Sequence, residues 1–321
     1  MKKIIIINFF VVIFLILFLE FTINFFKLSN LLGIEKGLIY NQNKSHYLTP
    51  NSTGKIYGIE VFIDNNGFRV PIKDYNYVGN KNFYILGDST AFGPGVSEEK
   101  TFIGLLRSKY FDINFYNNSV PGYQIKNHII NLDKVNNFGQ IDKIIYFYTL
   151  NDIFSLSNVI DANKNEELNS EGSFALRDVK ILNYVNRFLR EKSYLYLYIK
   201  GITTDPSKRW YKSVERFYQV NKIDFIKTDF KKIKDFSNKI NAKLHVVVLP
   251  YEFQTRECTN KNLLPQRKIN KILSDLTINY SDLTKKFCKL AKPVNYFKKF
   301  DPMHLSKKGH KFLFNLIIND I

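Results

Sequence analysis

Two short polar clusters, far apart in the chain, hold side chains from which a hydrolytic site can be built. The first is Gly87-Asp88-Ser89, directly after the apolar run Phe83-Tyr84-Ile85-Leu86; the second is Asp301-Pro302-Met303-His304. Serine hydrolysis needs a nucleophile, a base that takes its proton, a group that orients the base, and donors aimed at the oxyanion. Ser89 offers the nucleophile. Of the five histidines, His46 lies in the N-terminal lead-in, His128 inside a helical pattern, His245 inside a strand and His310 within the terminal helix. Only His304 lies in a loop with an acid three residues before it, where Asp301 can meet the imidazole from a tight turn that Pro302 helps to fix.

A blander reading stays open for each cluster. Asp88 or Ser89 can serve only to cap the next helix, and His304 can be a helix-entry residue. A metal pairing of His304 with His310 finds no third ligand at suitable spacing beyond Asp301, so neither a metal nor any other cofactor is expected.

The elements that must position these residues follow from the hydrophobic pattern. From Asn82 onwards, strand runs at Phe83 to Leu86, Ile113 to Tyr116, Ile144 to Tyr148 and Leu244 to Leu249 alternate with helical runs at Thr101 to Tyr110, Ile125 to Val135, Ile223 to Ile240 and Lys268 to Leu276. Apolar strands interleaved with amphipathic helices imply a mainly parallel sheet covered on both faces, a three-layer α/β/α sandwich. Ligands of such sheets bind at the carboxyl ends of the strands, where Gly87-Asp88-Ser89 falls. Residues 28–80 read as a stalk and extended lead-in, with a strand-like piece at Ile59 to Ile63 and a turn signal at Asp64-Asn65-Asn66-Gly67. Residues at about 155–220 interrupt the alternation as a helical insertion. There Val179 to Tyr198 reads as an ordinary packed helix, with a lid or a membrane-surface helix as the alternatives.

Four blocks in order, Gly87-Asp88-Ser89, Asn118-Ser119-Val120-Pro121-Gly122, Asn151-Asp152 and Asp301-Pro302-Met303-His304, resemble those of the SGNH, or GDSL-type, hydrolases. The resemblance covers residues at about 82–155 and 243–319. It implies a flavodoxin-like sandwich with Ser89 as nucleophile, His304 as base and Asp301 as its orienting acid. It further implies an oxyanion hole made by the backbone N–H groups of Ser89 and Gly122 and the side-chain amide of Asn151. One position departs from the pattern: the third block usually begins with a glycine two residues before its asparagine, where this chain has Thr149. Without the resemblance, Asn118 and Asn151 read equally as turn residues and Gly122 as a site of positive φ.

The N-terminus sets the compartment. Ile4 to Leu19 is apolar except for Asn8, and with Phe21, Ile23, Phe25 and Phe26 the segment reaches membrane-spanning length. Lys2 and Lys3 precede it, which keeps the amino end in the cytoplasm and exports the remainder. A cleaved signal peptide is the runner-up, because the bulky exit Phe21 to Lys27 lacks the small residues of a cleavage site. The expected organisation is therefore an anchor at 1–27, the lead-in at 28–80 and a catalytic domain at 81–321. In an oxidising compartment the two cysteines, Cys258 and Cys288, either pair or remain as two thiols.

The formal charge of +18 loses a net +2 with Lys2, Lys3, Lys27 and Glu20, leaving +16 on the rest. Its lysines are dispersed over helical faces, as at Lys231-Lys232-Ile233-Lys234, so they read as solvated surface and not as a nucleic-acid footprint. The combined expectation is a membrane-anchored, extracytoplasmic serine esterase that removes or transfers acyl groups, O-acetyl above all, on a cell-surface or exported glycan. The alternative is a non-catalytic glycan-binding or assembly protein on the same fold, distinguished by whether Ser89 reacts with a fluorophosphonate.

Overall fold

The computed structural model describes residues 2–42, 45–154, 180–219 and 223–318. Helix α1 (Lys2–Phe25) is followed by β1 (Ile39–Gln42), β2 (Ser45–Leu48), β3 (Thr53–Ile56), β4 (Ile59–Ile63) and β5 (Arg69–Val70). Then come β6 (Lys81–Gly87), α2 (Ser89–Phe92), α3 (Phe102–Lys109), β7 (Ile113–Ser119), α4 (Ile125–Ile130) and β8 (Lys143–Tyr148). Helices α5 (Lys180–Lys192), α6 (Tyr194–Thr203), α7 (Pro206–Gln219) and α8 (Asp224–Lys239) lead to β9 (Lys243–Val248). The chain closes with α9 (Glu252–Arg256), α10 (Leu264–Asp275), β10 (Asn279–Asp282), α11 (Thr284–Cys288) and α12 (Lys307–Ile317).

The central sheet has the order β10-β9-β8-β6-β7, with every pairing parallel. This is the doubly wound, flavodoxin-like order, which reverses direction at the first strand of the sheet, β6. Alternate side chains enter opposite faces, as the period of two requires. Phe83, Ile85, Ile145 and Phe147 pack under α3, α11 and α12, whereas Tyr84, Leu86, Ile144, Tyr146 and Tyr148 pack under α4, α7, α8 and α10. Both faces are therefore covered, which explains the unbroken apolar runs of β6 and β8, while Asn114 and His245 interrupt those of β7 and β9.

Several elements differ from expectation. The helix expected over Ile125 to Val135 stops at Ile130 and continues as a 3-10 turn over Leu132–Phe138. Asn131, at the junction, turns its amide back onto the Asn127 carbonyl and the Tyr123 hydroxyl, a local bond that competes with helix continuation. The expected helix from Lys268 begins earlier, at Leu264, with Pro265 in its first turn. Strand β10 was not expected, because an edge strand reading Asn279-Tyr280-Ser281-Asp282 carries no apolar run.

Within the expected insertion, residues 155–179 and 220–222 lie outside the described residues, including the loop expected at Asp161 to Glu171. The remainder forms α5, α6 and α7, and α7 belongs to the sandwich itself: Tyr211, Val214 and Tyr218 are fully buried in its core. The lead-in is folded as well. Its hairpin β1–β2 and three-stranded sheet β3–β4–β5 bury Leu38, Leu48, Ile56, Val61 and Ile63 against Phe92, Val120 and Tyr123, beside the carboxyl edge of the central sheet. Asp64 accepts from the amides of Asn66 and Phe68 to close the β4–β5 turn.

Helix α1 is apolar over Lys3–Phe25, with mean hydropathy 3.0, and its side chains from Ile4 to Leu19 are exposed. It is long and apolar enough to cross a bilayer, a property that a signal sequence shares.

Candidate active site

Strand β6 delivers Ser89 by turning directly into α2. A Cβ on Gly87 would stand 2.5 Å from the Ala91 Cβ, so only glycine permits the helix to fold back so closely on the strand end. Asp88 caps α2, its Oδ1 accepting from the Thr90 amide at 2.8 Å. The capping role expected as the blander alternative is thus real for Asp88, and Ser89 is left as the half-buried first residue of the helix.

Asp301-Pro302-Met303-His304 precedes α12. Asp301 Oδ1 accepts from the backbone amides of Met303 at 3.0 Å and His304 at 2.8 Å, which folds the segment into a tight turn. Its Oδ2 lies 2.7 Å from His304 Nδ1, and His304 Nε2 lies 2.8 Å from Ser89 Oγ. A carboxylate can only accept, so Nδ1 carries the proton and Nε2 is free to accept from the Ser89 hydroxyl. Burial alone would raise the Asp301 carboxyl, but the His304 imidazole and the two amide donors outweigh it and hold the group below its ordinary value. No other histidine bonds to Ser89: His46 meets the Pro121 carbonyl, His245 pairs with Ser281 Oγ, His310 accepts from the Phe102 amide and His128 is enclosed by Tyr123 and Tyr146.

The expected oxyanion donors come from the ends of neighbouring strands. Strand β7 runs into Val120-Pro121-Gly122, where Gly122 adopts φ 85°, a conformation that costs a side-chain residue strain. Among the described residues, the backbone amides of Ser89 and Gly122 have no protein acceptor. Strand β8 runs into Thr149-Leu150-Asn151. The Asn151 amide donates to Asp88 Oδ2 at 3.0 Å, while its Oδ1 accepts from the Tyr251 hydroxyl at 2.6 Å and lies 2.9 Å from Thr149 Oγ. One N–H of Asn151 is therefore committed to Asp88 and one remains.

Thr149 sits at φ −116°, ψ 159°, an extended conformation open to any residue, so the departure from the family's glycine brings no strain. Its hydroxyl instead reaches Asp88 Oδ2 at 2.9 Å and Asp152 Oδ1 at 3.2 Å. Burial, together with the nearby Asp88, pushes the Asp152 carboxyl well up, which favours its protonated form. The Tyr146 hydroxyl and Thr149 amide both donate to Asp152 Oδ2, so a proton on this carboxyl belongs on Oδ1, where it donates to Thr149 Oγ and frees the Thr149 hydroxyl to donate to Asp88 Oδ2.

Three contributors escaped the sequence reading. Tyr57, from the β3–β4 turn, places its ring edge-to-face on His304 at 5.7 Å. Lys298 sits 4.6 Å from the centre of the Tyr57 ring and donates to the Pro94 carbonyl, and burial brings its ammonium down to about 8. Tyr251 fixes Asn151, whereas the nearby Glu252 and Gln254 side chains turn away to Arg256 and to Gln266.

No family model and no curated protein matches the chain. Among solved structures it is similar to a lipase/acylhydrolase from Enterococcus faecalis, at 12% identity over 75% of this chain and 95% of that one, with a TM-score of 0.43. It is similar also to an acetylxylan esterase from Geobacillus stearothermophilus, at 12% identity over 77% of this chain and 96% of that one, TM-score 0.43. A third similar structure is a lipolytic protein of the G-D-S-L family, described as putative, from Desulfitobacterium hafniense, at 14% identity over 75% of this chain and all of that one, TM-score 0.42.

Proposed function

We propose that the chain is a membrane-anchored serine esterase whose extracytoplasmic domain removes or transfers acyl groups, O-acetyl above all, on a cell-surface or exported glycan. The observation that carries the catalytic reading is the unbroken hydrogen-bonded series Ser89–His304–Asp301 at the carboxyl edge of the sheet. Ser89 Oγ attacks the acyl carbonyl as its proton passes to His304 Nε2. The oxyanion takes hydrogen bonds from the amides of Ser89 and Gly122 and from the remaining N–H of Asn151. Collapse breaks the ester C–O bond, the leaving alcohol takes the proton from Nε2, and the acyl group stays on Ser89. Water, or a second sugar hydroxyl, then attacks the acyl-enzyme by the same steps in reverse.

The anchor reading draws support from α1 itself. Ile23 is buried against the domain, and the Glu20 carboxylate accepts from the Ser193 hydroxyl and from the amides of Tyr194 and Leu195, capping α6. Removal of α1 would leave those amides without their acceptor. The substrate class follows from compartment: an ester-cleaving site fixed outside the cytoplasmic membrane meets acylated envelope glycans.

Turnover of an aryl acetate by the purified chain is the test of the catalytic reading, with Ser89→Ala and His304→Ala expected to remove nearly all of it. Undiminished turnover by Ser89→Ala refutes the assignment. Amino-terminal sequencing of the mature protein tests the anchor, which requires Met1, whereas a start at about residue 25 to 30 makes α1 a signal peptide.

A further inference from the structure

Helix α5 is amphipathic in the wrong sense for a packed helix. Leu182, Tyr184, Val185 and Phe188 recur at three- and four-residue spacing and form one stripe. Ordinarily that stripe faces the core, yet here Leu182 is 39%, Tyr184 70%, Val185 42% and Phe188 52% exposed. The polar edge is the one that meets protein: Asn186 Oδ1 accepts from the Tyr196 hydroxyl at 2.6 Å and from Lys200 Nζ at 3.0 Å. The Arg190 carbonyl, on the same side, accepts from the Leu32 amide at 3.3 Å. Among the described residues nothing covers the apolar stripe.

Its setting identifies the occupant. Helix α6 follows α5 directly, is capped by Glu20 of α1, and leaves Ile199 and Ile202 exposed at 48% and 58%. The exposed apolar surface is thus continuous with the apolar helix α1, whose residues Ile4 to Leu19 are uncovered. Helix α5 also carries Arg187, Arg190 and Lys192 against a single acid, Glu191. An apolar stripe flanked by basic residues, beside a membrane-length helix, matches an interfacial helix on anionic lipid.

We propose that α5, with the exposed edge of α6, lies in an anionic lipid surface beside the exit of α1 and holds the catalytic site against the membrane; this rests on the anchored reading above. Helix α6 links that surface to the site, because the Tyr198 ring packs edge-to-face on Phe300 at 5.9 Å, and Phe300 immediately precedes Asp301. A site held this way takes acylated substrate, or an acyl donor, presented at the bilayer surface.

The test uses the full-length chain in phosphatidylcholine vesicles with and without phosphatidylglycerol. Both native cysteines are held in the Cys258–Cys288 disulfide, so a single added cysteine can be labelled selectively with an environment-sensitive nitrobenzoxadiazole fluorophore. Phe188→Cys should give a several-fold emission gain in phosphatidylglycerol vesicles, quenched by nitroxide lipids with shallow spin labels, whereas Arg187→Cys should stay water-like. Water-like emission at 188 in both vesicle types overturns the proposal. Shielding at 188 that nitroxide lipids cannot quench also overturns it, since the cover is then protein, and equal shielding in neutral vesicles removes the role given to the basic residues. Flotation and aryl acetate turnover of the same samples read the anchor and the catalyst separately. A water-like signal in floating, active protein therefore counts against α5 alone.

Discussion

Asn151 is oriented before any substrate arrives, because Asp88 holds one N–H of its amide and the Tyr251 hydroxyl holds its carbonyl. Asn151→Ala should therefore cost roughly 10²- to 10³-fold in kcat, the usual effect of one lost oxyanion donor. Tyr251→Phe removes only the orienting hydroxyl, so kcat should fall by about tenfold with KM nearly unchanged, as expected for one hydrogen bond. An equal fall in both variants would mean that Tyr251 supports the fold and not the amide. Asp152 gives a sharper test of protonation. If Oδ1 carries a proton, Asp152→Asn places an N–H donor at the same position and should retain both activity and melting temperature. Asp152→Ala strands the Tyr146 hydroxyl and the Thr149 amide in the core and should cost about 1 to 3 kcal/mol for each donor left unpaired. Thermal unfolding of the two variants separates the cases, and an Asn variant as unstable as the Ala variant would show Asp152 to be ionised.

At the scale of elements, the Cys258–Cys288 bridge links the end of α9 to α11, closing a separation of 30 residues. The chain-entropy estimate for such a loop is about 3 to 4 kcal/mol, so replacing both cysteines by serine should lower stability by that order, read by urea unfolding in detergent. A loss under about 1 kcal/mol would show that the reduced chain retains the same constraint without the bond. Strands β6 and β8 were legible in the sequence because burial on both faces makes them continuous apolar runs, and β7 and β9 because Phe115-Tyr116 and Val246-Val247-Val248 keep the greater part of one. The candidate site was legible for a related reason: Ser89, Gly122 and Asn151 each stand just beyond a strand of that sheet, and Asp301 and His304 in the loop before α12. Strand β10 was not, since one neighbour and a polar composition erase the signal. Tyr57 was equally hidden. It reaches His304 only because the β3–β4 turn holds Tyr57 at φ 54° and Gly58 at φ 74°, and because the lead-in folds back on the site, which no local pattern encodes. The Tyr211, Val214 and Tyr218 stripe of α7 was present in the sequence, but the polar segment before it disguised α7 as part of an insertion.

At the scale of the molecule, two histidines set the response to acid. His128 and His310 are fully buried, and burial pushes each imidazole down to about 3, helped at His310 by the charge of Arg69. In the unfolded chain each binds a proton below about 6.5, so the stability they confer is complete above that pH and is lost as pH falls towards the folded value. Between about pH 6.5 and about pH 5 each should cost about 2 kcal/mol of stability. His128 has no hydrogen-bond partner on either ring nitrogen among the described residues, so His128→Leu removes a titrating group without stranding a neighbour. Unfolding free energies across that range should fall about half as steeply in the variant as in the parent chain; parallel slopes would show that His128 is already protonated or hydrated in the native state.

The catalytic reading converges on one atom, Ser89 Oγ, activated by His304. Incubation of the full-length protein with a fluorophosphonate, followed by peptide mass analysis, measures that atom directly. A single adduct on Ser89 is expected, formed slowly or not at all in His304→Ala and absent from Ser89→Ala. An adduct on another residue, or a native protein that remains unlabelled while correctly folded, would contradict it.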